Sequence, residues 1–153
     1  MMKKRKIFRF VGIGIVIFLI VAQFFPIEKT NPKSDPSLDF LTITDPSKNI
    51  AENIKGSCYD CHSNEVRYPW YTDVAPVSWW VKSHIENGRK HLNFSLWGQY
   101  DEEKKNHKLD ECVFYVEKNW MPLLSYKFAH PSSKLSVDQR EELIVFFRSL
   151  QVD

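Results

Sequence analysis

Cys58-Tyr59-Asp60-Cys61-His62 sets two thiols two residues apart with an imidazole directly after the second. In a C-x-x-C-H spacing the two sulfurs can add to the two vinyl groups of a haem, and the adjacent imidazole then lies under the iron. Two other readings of a bare C-x-x-C compete. Half of a zinc site needs four nitrogen or sulfur ligands at recognisable spacing, and Cys112 is the one cysteine left. A thioredoxin-like redox pair opens a helix after a strand in a βαβ context, and the chain shows no such alternation.

A bound iron takes His62 as its proximal ligand. For the sixth position the chain offers Met121, four further histidines (His84, His91, His107 and His130), or a vacancy. Met121 lies in Trp120-Met121-Pro122-Leu123, a proline-fixed turn, and Met/His pairs are standard for electron-transfer haem because a thioether favours ferrous iron. His84 is the leading alternative: it falls on the apolar stripe of a helix, where a buried imidazole needs either a metal or a hydrogen-bond partner. His107 sits among lysines and reads as solvated. Trp70 and Trp80, from a segment that holds all five tryptophans, are candidate walls for a flat cofactor. Arg67, Arg89 and Lys90 are candidate partners for its propionates, and Asn93 and Ser95 either bond a propionate or close a turn. Cys112 keeps phase with apolar helix positions and reads as a small buried hydrophobe, with pairing between chains as the alternative.

The elements that must position these residues are helical. Asp45-Pro46, with Ile50 and Ile54, predicts a short helix delivering the chain to Cys58. Ala75-Pro76 opens a second, with Val77, Trp80, Val81, His84 and Ile85 in phase and Gly88 as its stop. A third runs from Asp101 to Trp120, with an acidic first turn and an apolar stripe of Leu109, Cys112, Val113 and Val116, ending ahead of Pro122. A capping box from Ser136 to Gln139 opens the last, whose face is Leu143, Phe146, Phe147 and Leu150. Nothing alternates with period two for long enough to be a strand, so the expectation is an all-α domain of about four helices.

Ahead of that domain, residues 1–6 are basic and residues 7–25 are apolar apart from Arg9 and Gln23. Nineteen helical residues span roughly 28 Å, close to the hydrocarbon thickness, which predicts one N-terminal transmembrane helix with its basic end in the cytoplasm. A cleaved signal peptide competes, but no A-x-A-like site follows. Residues 26–44, with Pro26, Pro32 and Pro36, read as a flexible linker, which leaves residues 45–153 as the folded domain. The 21 basic and 19 acidic groups are unevenly placed: five of the basic ones lie in residues 1–25, so the rest of the chain carries about −3. That balance argues against a nucleic-acid partner.

A longer pattern, Cys58-Tyr59-Asp60-Cys61-His62-Ser63, Tyr68-Pro69-Trp70-Tyr71, Ala75-Pro76-Val77-Ser78-Trp79-Trp80, His84-Ile85, Gly88-Arg89, Leu92-Asn93-Phe94-Ser95, Met121-Pro122 and His130-Pro131, resembles the bacterial haem-binding-domain family of exported single-haem proteins over about residues 50–150. The closing Met-Pro turn and helix also resemble mono-haem class I cytochromes c. That likeness implies a cytochrome c-like helical fold with haem c on Cys58 and Cys61, His62 proximal and Met121 distal. It further implies a carrier of single electrons on the periplasmic side of the cytoplasmic membrane, held there by the N-terminal helix. Its partners would be redox proteins of the cell envelope, and no second metal is expected. The competing functions are a haem sensor of small gases or peroxide with an open or displaceable sixth site, and an accessory haem subunit of a membrane complex.

Overall fold

The computed structural model describes residues 2–152, and every regular element in them is helical. In chain order these are α1 (Met2–Ala22), α2 (Phe40–Thr44), α3 (Lys48–Ser57), α4 (Tyr59–His62), α5 (Val77–His91), α6 (Glu102–Glu117), α7 (Leu124–Ala129) and α8 (Val137–Ser149). Short 3-10 helices punctuate the connections, the longest being Phe94–Gln99. Contacts divide the chain into two units: Met1–Thr30 with Tyr68–Glu86, and Asn31–Arg67 with Asn87–Asp153.

In the first unit α1 carries exposed apolar side chains from Ile7 to Val21, Phe8 being 78% exposed. The predicted span is corrected here: among the described residues no helix is long and apolar enough to cross a membrane. Two features shorten it. The helix takes in Lys4, Lys6 and Arg9, and it ends at Ala22 rather than Phe25. Its uncharged run, Phe10 to Ala22, is therefore only ~20 Å long against a hydrocarbon core of ~30 Å. The chain turns off because Gln23 clasps Ala75: the Gln23 amide donates to the Ala75 carbonyl at 2.9 Å, and the Ala75 N–H donates back to the Gln23 amide oxygen at 3.1 Å. Close by, the Trp79 indole donates to the Phe25 carbonyl at 2.8 Å, and Lys29 pairs with Asp73.

The second unit is built on the packing of α6 against α8, with α3 lying on α8 and on α4. Its core joins Ile54, Tyr59, Phe94, Trp97, Leu109, Val113, Val116, Leu143 and Phe147 around Phe40, whose exposure is 0%. Phe40 meets four rings, with centroids 4.9 Å away at Phe94 and Trp97 and 6.2 Å away at Phe146 and Phe147. Residues 36–44 therefore differ from the mobile tether that the prolines suggest. Asp39 caps α2 by accepting the Leu41 N–H at 3.0 Å, and the short helix drives Phe40 into the core. Burying a phenylalanine gains about 1.5–3 kcal/mol, enough to fix a segment whose prolines already restrict it. Asp45 closes α2 in the left-handed conformation (φ 41) instead of opening α3, which starts at Lys48 behind Ser47.

The ends of the larger helices follow local chemistry. Asp101 accepts the Lys104 N–H at 2.8 Å to cap α6. The Ser136–Gln139 capping box forms as read, with bonds of 3.1 and 2.8 Å, and the Gln139 amide goes on to donate to the Asn53 side chain of α3 at 2.9 Å. That bond ties the start of α8 to the helix preceding the cysteines.

Candidate haem site

Cys58 ends α3 and starts α4, so the pair of thiols and His62 share one helical turn; the Cys61 and His62 N–H groups both bond back to the Cys58 carbonyl, at 3.1 and 2.9 Å. Burial, with a smaller contribution from Cys61, pushes the Cys58 thiol up to about 12. Burial and then the Asp60 charge push Cys61 up to about 11, against a downward pull from Arg89. A redox pair needs one cysteine with a depressed pKa, and neither has it. Nor, among the described residues, do three or more His, Cys, Asp or Glu converge as ligands for a metal ion. Cys112 packs against the core, as its phase predicts, and burial first and nearby Cys58 second raise its thiol.

His62 is held as a ligand must be. Its Nδ1 lies 3.1 Å from the Leu92 carbonyl oxygen, which can only accept, so Nδ1 carries the proton and Nε2 keeps its lone pair. Burial lowers the imidazole pKa, partly countered by the carbonyls of Leu92 and Gly88, so the ring is neutral at physiological pH.

The Leu92 carbonyl is in turn fixed by a buried polar cluster. The Asn93 N–H donates to the Tyr100 hydroxyl at 3.0 Å, and the Asn93 amide to the Asn64 side chain at 2.9 Å. The Asn64 N–H donates to the Ser95 hydroxyl at 3.0 Å, and the Ser63 hydroxyl to the Tyr59 carbonyl at 2.8 Å. Asn93 and Ser95 thus close a turn that orients the histidine.

Gly88 supplies the close approach. A Cβ there would meet the Cys61 carbonyl oxygen at 2.5 Å and its carbon at 3.1 Å. Gly88 is not the stop that Asn87-Gly88-Arg89 suggests, since α5 continues to His91; it is the place where that helix lies on the Cys61 backbone.

Met121 belongs to the same unit. Asn119, at φ 55, ends α6 in a left-handed cap: the Asn119 N–H donates to the Val116 carbonyl and the Trp120 N–H to the Tyr115 carbonyl, both at 3.0 Å. The Met121 N–H donates to that same Tyr115 oxygen at 3.2 Å. The helix thus stops at Glu117, earlier than Trp120, and delivers a half-buried Met121.

Other candidates are placed differently. Trp70 and Trp80 lie in the first unit and are exposed, Trp70 at 77%. His84 is in that unit too, half-buried, with Nδ1 donating to the Trp80 carbonyl at 2.8 Å and its ring 4.2 Å from the Trp80 ring. Arg67 pairs with Asp60 at 3.3 Å, and Arg89 donates to the Ser63 carbonyl at 2.8 Å and the Asn31 side chain at 3.0 Å, so both guanidinium groups brace the turn. Lys90 and His91 are exposed, and His107 sits 3.5 Å from Glu111 on the surface of α6.

A model of the haem-binding domain matches residues 17–149. The chain belongs to that family. No curated protein and no solved structure gave a match.

The site of this haem-binding domain fits the group for which the family is described. One turn presents two neutral thiols and a neutral imidazole whose Nε2 is uncommitted, and Gly88 lets a second helix reach that turn. Haem would be held by His62 through its iron, with Cys58 and Cys61 beside it, and would supply one-electron chemistry at the iron. The residues missed by sequence reading are Gly88, Asn64, Ser63 and the Leu92 carbonyl. The one available signal was a glycine inside a helical pattern, which marks close packing.

Proposed function

We propose that this haem-binding domain carries one haem c, covalently held by Cys58 and Cys61, and passes single electrons outside the cytoplasm. The observation that carries the reading is the His62 Nδ1 bond to the Leu92 carbonyl, which commits one ring nitrogen to the protein and leaves the other for iron. Met121 is the distal ligand: the α6 cap presents it on a proline-fixed turn, and Met/His ligation suits an electron carrier that makes and breaks no substrate bonds. The likeness to class I cytochromes c points the same way.

The domain works at the outer face of the cytoplasmic membrane, where the exposed apolar wall of α1 lies in the interface without crossing the bilayer. Its partners are redox proteins of the envelope, met in small, transient contacts.

Oxidised and reduced optical spectra of wild type, Met121→Ala and His84→Ala test the ligation. Met121→Ala should lose the low-spin spectrum and bind carbon monoxide rapidly when ferrous, while His84→Ala should match wild type. A Met121→Ala spectrum identical to wild type, with fast carbon monoxide binding in both, would mean an open sixth site suited to sensing small ligands.

A further inference from the structure

The segment between α6 and α8 carries Met121, and it is fastened to the cysteine turn by a bond that neither the motif nor the ligand set requires. Asp60, the second residue between the two cysteines, is buried and uses both carboxylate oxygens. Oδ1 accepts from the Arg67 backbone N–H and from its Nε, each at 3.3 Å. Oδ2 accepts from the Tyr126 hydroxyl at 2.7 Å, across 66 residues of chain. Tyr126 lies on α7, five residues beyond Met121, and its ring meets that of His130 tilted by 40°, with centroids 4.4 Å apart.

We infer that Tyr126 is a positioning residue: its bond to Asp60 latches the Met121 segment onto the turn that holds Cys58, Cys61 and His62, and so sets how tightly the sixth iron position is closed. The inference rests on the reading of Met121 as distal ligand. α7 is short and has no buried residue of its own, so hydrophobic packing alone gives it little hold. A charge-assisted bond in a partly buried setting is directional and costly to leave half-made. Between Met121 and α7 the chain has only Pro122 and Leu123, so fixing Tyr126 restricts where the methionine can reach.

A second tie, the Ser57 hydroxyl donating to the Ser133 carbonyl at 3.1 Å, is buried but lands beyond α7, three residues before the cap of α8. It supplies the comparison, because it fastens the same connection without restraining Met121.

The test uses the full-length haem-loaded protein and compares wild type, Tyr126→Phe, Asp60→Asn, Ser57→Ala and Met121→Ala. The readouts are the methionine-to-iron charge-transfer absorption of the oxidised form and the rate of carbon monoxide binding to the reduced form, at a temperature where each variant is folded. Tyr126→Phe keeps the ring and removes only the hydroxyl. Carbon monoxide binding should then accelerate on the order of tenfold to a hundredfold, with a weakened charge-transfer band. Asp60→Asn, which retains a weaker acceptor, should fall between Tyr126→Phe and wild type. Ser57→Ala should lower the melting temperature and leave both readouts at wild-type values. If Met121→Ala alters the spectrum while Tyr126→Phe and Asp60→Asn bind carbon monoxide at the wild-type rate, the latch is refuted and the ligand assignment stands. If Met121→Ala leaves the spectrum unchanged, both fall.

Discussion

Gly88→Ala should destabilise the second unit by about 1–3 kcal/mol and sharply reduce the yield of haem-loaded protein. Inside a helix the same change ordinarily stabilises by roughly 1 kcal/mol, because alanine surrenders less backbone freedom than glycine. Here the sign reverses. The new methyl would sit 2.5 Å from the Cys61 carbonyl oxygen and 3.1 Å from its carbon, and both are backbone atoms of the turn that also bears His62. No flexible side chain can swing aside, so either α5 or the turn must shift. A shift of the turn moves the thiols and stretches the 3.1 Å bond from His62 to the Leu92 carbonyl, which follows Gly88 by one helical turn. Urea denaturation of the haem-free protein reads the stability change, and the absorbance ratio of haem to protein after expression reads the loading. A gain in stability would show that α5 does not pack on the turn.

Phe40→Ala should cost about 3–5 kcal/mol, as much as the loss of any core aromatic, although the position lies in a proline-punctuated stretch that looks like a tether. The ring is fully buried among Phe94, Trp97, Phe146 and Phe147, which come from the segment after α5 and from α8. Losing it leaves a cavity at the point where those segments meet, and a large fraction of a small domain's stability goes with it. The denaturation midpoint in urea measures this. An unchanged midpoint would return residues 36–44 to the role of a linker.

Much of the site was legible because its chemistry is local. The thiols and the imidazole announce themselves by spacing, Ser136 and Gln139 by capping chemistry, and Leu109, Val113 and Val116 by helical phase; all of these depend on neighbours within a turn or two. The all-helical class follows from the same periodicities. What could not be read depends on partners far along the chain. Phe40 looks like an isolated aromatic until its four ring contacts are counted, and Gly88 looks like a helix stop until Cys61 lies against it. Asp60 looks like a spacer between two cysteines until Tyr126 reaches it. The stretch from Ile7 to Phe25 misled for a related reason: hydropathy counts residues, but Gln23 bonds to Ala75 and breaks the helix before the apolar run is spent. Aromatic content did not mean burial against protein: Trp70 and Trp80 are exposed.

Acid-acetone extraction of the full-length protein, expressed with a c-type maturation system and exported, tests covalent haem attachment most directly. The colour should stay with the precipitated chain, the denatured protein should give a pyridine haemochrome spectrum shifted as two saturated vinyl groups require, and mass should rise by one haem. Cys58→Ala with Cys61→Ala should release the colour into the solvent. Wild-type protein that is colourless, or that surrenders its haem to acid acetone as the double variant does, would contradict attachment through this turn.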